Sequence, residues 1–115
     1  MVKNVLSVRS TGLRDWVTQR VSAIYMAVYS IGLLAFILCH SPLSFFDWHD
    51  LFTLQWMKIA TLIFIVCALV HAWLGMWTIF TDYVKPFVIR AILNSLVLLM
   101  LIACFFWGVL ILWSV

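Results

Sequence analysis

Charged side chains are scarce in this chain: Asp, Glu, Lys and Arg make up 10% of its 115 residues, where a soluble domain carries about 25%. That scarcity excludes a water-solvated globule, because 67% of the residues are apolar and so short a chain cannot bury that much apolar surface. Cysteine is scarce too. Cys39, Cys67 and Cys104 form no CxxC or Cys/His metal spacing and are odd in number, so they read as small packing residues rather than cluster ligands. A dinucleotide fingerprint, internal repeats, low-complexity tracts and flexible linkers are all missing, which gives no sign of a flavin- or nucleotide-binding domain. The period-two alternation of a membrane barrel is absent as well.

What remains is apolar sequence in long runs. Residues 21–39, 59–80 and 91–113 each reach or approach the roughly 20 residues that a helix needs to cross a ~30 Å hydrocarbon core. The mean hydropathy of +1.18 makes lipid the solvent, and an open sheet there would leave backbone groups unpaired. The expected fold is an all-α membrane protein, one domain over residues 1–115 with three transmembrane helices. His40, Asp47, His49 and Asp50, in the 40–58 connection, read as solvated loop residues.

Orientation follows from the basic residues. Lys3, Arg9, Arg14 and Arg20 precede the first span, and Lys85 and Arg90 lie between the second and third, whereas the other side has only Lys58. The positive-inside rule puts the N-terminus in the cytoplasm. The first apolar run is too long for a typical signal-peptide core and Cys39-His40-Ser41-Pro42 is no cleavage site, so an uncleaved helix is expected.

His71 is the one histidine inside a span. It lies about 18 Å from the outer end of its helix and about 14 Å from the inner end, at 1.5 Å per residue. An ionisable side chain at that depth is costly and is a candidate functional group; imidazole is also a common haem ligand. A neutral histidine hydrogen-bonded to a neighbouring helix is the plain alternative. Ala68, Ala72 and Gly75 run beside His71 at helical spacing and make a strip that admits either another helix or a flat macrocycle. Trp73 and Trp77 are expected to point elsewhere. Met76, the other conceivable ligand nearby, is rotated about 140° from His71 and cannot share its iron. A second axial ligand must therefore come from another polypeptide or be lacking. Arg20, at the start of the first span, is a candidate partner for haem propionates, or else an ordinary anchor.

The segment Thr81-Asp82-Tyr83-Val84-Lys85-Pro86 reads as a polar turn at the membrane edge, with Pro86 suited to the first turn of a new helix. A phenol at Tyr83 would donate to a quinone carbonyl, and Asp82 would help to deliver protons. Taken singly, an interfacial tyrosine and a turn aspartate explain both, as would an Asp82–Lys85 ion pair of little weight.

Arg20, the run His71-Ala72-Trp73-Leu74-Gly75-Met76-Trp77 and the run Asp82-Tyr83-Val84-Lys85-Pro86 together resemble the small hydrophobic membrane-anchor (D-type) subunits of bacterial succinate dehydrogenase, complex II, over essentially the whole chain. The resemblance implies that His71 is the haem b axial ligand (the metal ligand of this chain), opposite a histidine from a larger cytochrome b-type anchor that contributes three more helices. It implies that Arg20 sits near the propionates, that Tyr83 hydrogen-bonds ubiquinone and that Asp82 lies in the same site. Succinate is oxidised elsewhere, on a flavoprotein subunit, and electrons pass through an iron–sulfur subunit to the quinone in a bacterial inner membrane. No nucleic-acid partner is expected. Three rivals stand beside this reading: an anchor of a fumarate reductase-type complex, a homodimeric b-type cytochrome in which two His71 side chains sandwich one haem, and a purely structural anchor.

Overall fold

The computed structural model describes the backbone of residues 2–115 and the side chains of residues 12–115; the side chains of Lys3 and Arg9, counted above in the charge bias, lie outside the described residues. The chain is helical along most of its length, in the order α1 (Val2–Cys39), α2 (Phe45–Thr53), α3 (Gln55–Tyr83) and α4 (Phe87–Trp113). Three stretches are long and apolar enough to cross a membrane: Gly12–Cys39, Gln55–Tyr83 and Phe87–Trp113. The helices are apolar around most of their circumference, as expected of segments whose outer surface meets lipid rather than water. Accordingly the chain has almost no core of its own, and Met57 and Leu112 are its buried apolar residues among those described.

α3 is the central helix, packed against α1 on one side and α4 on the other. Between apolar helices in lipid there is no water to expel, so close packing and interhelical hydrogen bonds hold the assembly. On the α1 side, Tyr25 Oη donates to the Ala60 carbonyl at 2.7 Å. Thr61 Oγ1 donates to Met57 O at 2.8 Å and so accepts from Tyr29 Oη at 2.6 Å. The Tyr29 ring also lies 4.6 Å from that of Phe64. On the α4 side the helices close up at Gly108, where an added Cβ would come within 2.9 Å of Ile65 Cδ1.

The start of α3 is locked to the end of α4 by Lys58, only 8% exposed. Its Nζ donates to the Val115 carbonyl at 3.3 Å and lies 6.0 Å from the centre of the Trp113 ring. A cation at the N-terminal turn of its own helix is unfavourable, but here it also meets the negative C-terminal end of α4, which offsets that cost. Lys58→Ala is expected to remove about 1.5–3 kcal/mol from this contact, the range for a hydrogen bond to a charged group. A lowered midpoint for thermal loss of the detergent-solubilised complex checks it; an unchanged midpoint would show that the lysine is idle.

Two departures from the sequence reading concern connections. The 40–58 segment is not a plain loop, because Phe45–Thr53 is helical. It begins with a capping box in which Ser44 Oγ accepts from Asp47 N at 3.1 Å and Asp47 Oδ2 accepts from Ser44 N at 3.3 Å, so both otherwise unpaired donors are satisfied. Trp48, Leu51 and Phe52 of α2 are half-buried, and Phe45 and Phe46 are exposed. Nor is 81–86 a turn throughout. α3 continues to Tyr83, with Val84 N donating to Phe80 O at 3.0 Å, and only residues 84–86 break the helix. Pro86 caps the start of α4, where its missing N–H costs nothing.

Candidate functional site

His71 sits on the face of α3 that meets α1. Its Nδ1 lies 3.2 Å from Ser22 Oγ, and Ser22 Oγ donates to the Gln19 carbonyl at 3.0 Å. A carbonyl can only accept, so with the Ser22 proton given to Gln19 the Ser22 oxygen accepts from His71 in the tautomer that carries its proton on Nδ1. In the neutral ring the lone pair is then on Nε2.

Beside this bond, α1 and α3 diverge into an open-sided cleft of about 460 Å³ lined by Asp15, Trp16, Gln19, Arg20, His71 and Trp77, among others. The antiparallel pairing of α1 and α3 brings Arg20 to the level of His71, although 51 positions separate them in the sequence. The Arg20 guanidinium carbon stands 5.2 Å from the centre of the Trp16 ring, which holds the cation at the cleft wall. Gln19 Oε1 is buried and has no hydrogen-bond partner among the described residues. Trp77 lines this cleft rather than pointing away from it, contrary to the sequence reading. Trp73 is on the α4 side instead, beside Leu98, Leu101 and Phe105.

The small-residue strip keeps its surface open. Ala72 is exposed, and an added Cβ on Gly75 would meet no atom within 4 Å. The strip is therefore not consumed in packing α3 against α1 or α4.

Asp82 and Tyr83 lie apart from the cleft, on the last turn of α3. Asp82 follows His71 by eleven positions, which at 100° per residue returns it to within about 20° of the same face, roughly 16 Å along the axis. Tyr83 is turned about 120° away from that face and is 79% exposed. Among the described residues the one ion-pair geometry is His49 Nδ1–Asp50 Oδ1 at 3.6 Å, so Asp82 and Lys85 form no pair. Groups of three or more His, Cys, Asp or Glu that would hold a bare metal ion are absent among the described residues. The structure thus joins His71 and Arg20 in one cleft and leaves Asp82 and Tyr83 apart from it, both exposed on this chain.

The cleft brings together an imidazole, a guanidinium that can pair with carboxylates and two indole walls, a donor set that matches the edge of a haem. Ser22 and Gln19 escaped the sequence reading. The one signal for Ser22 is a hydroxyl within an apolar span, which by itself marks only helix contact.

Comparison with known proteins agrees with this architecture. A family model described as succinate dehydrogenase/fumarate reductase transmembrane subunit matches residues 3–111. The succinate dehydrogenase hydrophobic membrane anchor subunit of Coxiella burnetii is 49% identical over 102 residues, 89% of each chain. The subunit of the same description from Rickettsia felis is 29% identical over 106 residues, 87% of this chain and 81% of that one. With three apolar helices long enough to span a bilayer and a match along nearly its whole length, this chain belongs to the succinate dehydrogenase/fumarate reductase transmembrane subunit family, as a hydrophobic membrane anchor.

Proposed function

We propose that this anchor does more than hold its complex in the membrane: it supplies one side of a haem b site and part of a ubiquinone site, so that electrons from succinate oxidation reach the quinone pool. The observation that carries the haem half is the cleft in which His71, with Nδ1 occupied by Ser22, stands beside Arg20. His71 would hold the haem iron through Nε2, and Arg20 would neutralise propionate charge through paired N–H donors. A larger cytochrome b-type anchor would close the open side of the cleft and supply the second histidine. Haem held by two imidazoles would supply a one-electron relay between the iron–sulfur subunit and the quinone.

At the end of α3, Tyr83 donates its phenolic proton in a hydrogen bond to a quinone carbonyl oxygen, and Asp82, exposed beside it, exchanges protons with water. Quinone reduction takes up two electrons and two protons, and succinate oxidation on the flavoprotein subunit releases the same number. The electrons arrive through the iron–sulfur subunit. The end of the bundle bearing Arg14, Arg20, Lys85 and Arg90 faces the cytoplasm of a bacterial inner membrane. Fumarate reduction would use the same residues in reverse, with direction decided by the quinone potential and the partner subunits.

The test is the reduced-minus-oxidised visible spectrum of the mildly solubilised native complex. A low-spin b-type signal, about one haem per complex, is expected. An intact complex with no haem signal would overturn the haem assignment and leave the quinone role to Tyr83.

A further inference from the structure

Ser22 is 4% exposed, and among the described residues its hydroxyl is the one side-chain hydrogen-bond partner of His71. Two bonds meet at that oxygen, and both are directional. With the hydroxyl proton given to the Gln19 carbonyl, the oxygen serves as an acceptor for the His71 tautomer protonated on Nδ1. The far side of Ser22 gives Nδ1 no substitute. It is a pocket lined mainly by Val17, Val21, Val66, Cys67 and Val70, and the nearby Thr18 hydroxyl is already committed to the Arg14 carbonyl at 2.8 Å.

We propose that Ser22 is a positioning residue for His71: by accepting the Nδ1–H it fixes the tautomer and the ring rotation, and so presents Nε2 to the iron. This rests on the haem reading above. Ligand histidines commonly give their second N–H to an oxygen acceptor that orients the ring and raises its basicity, and removing such an acceptor costs about 10–100-fold in metal affinity. Here the acceptor is on a different helix from the ligand. The geometry of the iron ligand therefore depends on the α1–α3 register, which the Tyr25 and Tyr29 bonds hold.

The experiment compares the assembled complex carrying wild-type, Ser22→Ala, Ser22→Thr or His71→Ala anchor, at matched subunit content, by haem retention, visible spectrum and redox titration of the haem. Ser22→Ala is expected to weaken haem retention about tenfold and to raise the midpoint potential, because an imidazole that loses its acceptor stabilises ferric iron less. Ser22→Thr keeps the hydroxyl and its extra methyl has the valine-lined pocket to enter, so it is expected to restore both readouts. If Ser22→Ala matches wild type in retention and potential while His71→Ala disturbs the haem, the positioning role is wrong and the haem reading stands. Equal losses in Ser22→Ala and Ser22→Thr would reduce Ser22 to packing. A wild-type complex without haem would overturn both proposals.

Discussion

Replacing His71 with alanine is expected to abolish or shift the low-spin b-type spectrum of the assembled complex while leaving the complex itself in place. Two magnitudes decide this. Losing a metal's own axial ligand costs more affinity than the 10–100-fold typical of an outer partner, so haem should be lost or change spin state. The interhelical hydrogen bond lost with it, Ser22 to His71, belongs to a class that averages about 0.6 kcal/mol in membrane helices and reaches at most about 1.7. The α1–α3 interface keeps its tyrosine bonds at Ala60 and Thr61, so that loss should not dissolve it. A spectrum identical to wild type would make His71 a structural histidine satisfied by Ser22, and any redox role of this chain would then rest on Tyr83.

The second large effect is expected at Tyr83. Tyr83→Phe deletes a single hydroxyl from a side chain that is 79% exposed, so the packing cost is close to nil. Loss of one donor aimed at an oxygen that gains charge during reaction costs about 10²–10³ in rate where the site is dry. In a site built partly from other subunits, at the membrane edge, a loss of at least about tenfold is expected. The readout is a ratio: succinate-dependent quinone reduction should fall while succinate oxidation with a soluble dye, which draws electrons from other subunits, is spared. Equal falls in both assays would point to assembly, and no fall in either would take Tyr83 out of the quinone site.

The spans were legible because lipid imposes a length and an apolarity that a residue count can read. The third span, expected at 91–113, ends where α4 ends, at Trp113. Polar residues hid the other boundaries. The expected second span stopped at Phe80 because Thr81, Asp82 and Tyr83 are polar, yet the backbone ladder carries on through them. α1 likewise extends back to Val2 through a polar stretch. The capping box at Ser44 and Asp47 was a readable signal for α2, and treating 40–58 as a single loop missed it. His71 and Arg20 were visible as a costly side chain and a basic anchor, but their common cleft was not. That proximity depends on which turn of α1 faces which turn of α3, set by side chains such as Tyr25 and Thr61 across more than thirty positions. Ser22 was hidden for the same reason.

The unbroken run of α3 from Gln55 to Tyr83 makes the helix a ruler as well as a post. A rigid rod converts residue count into angle and distance, so the interval between His71 and Asp82 behaves as a phase. One inserted or deleted residue there would swing the far end by about 100° and shift it by about 1.5 Å, separating two groups that no side-chain repacking could realign. Change of length is closed to this interval even where substitution is not. The joint at 84–86, outside the rod, is where the chain can absorb an altered residue count without disturbing the spacing between its two polar stations.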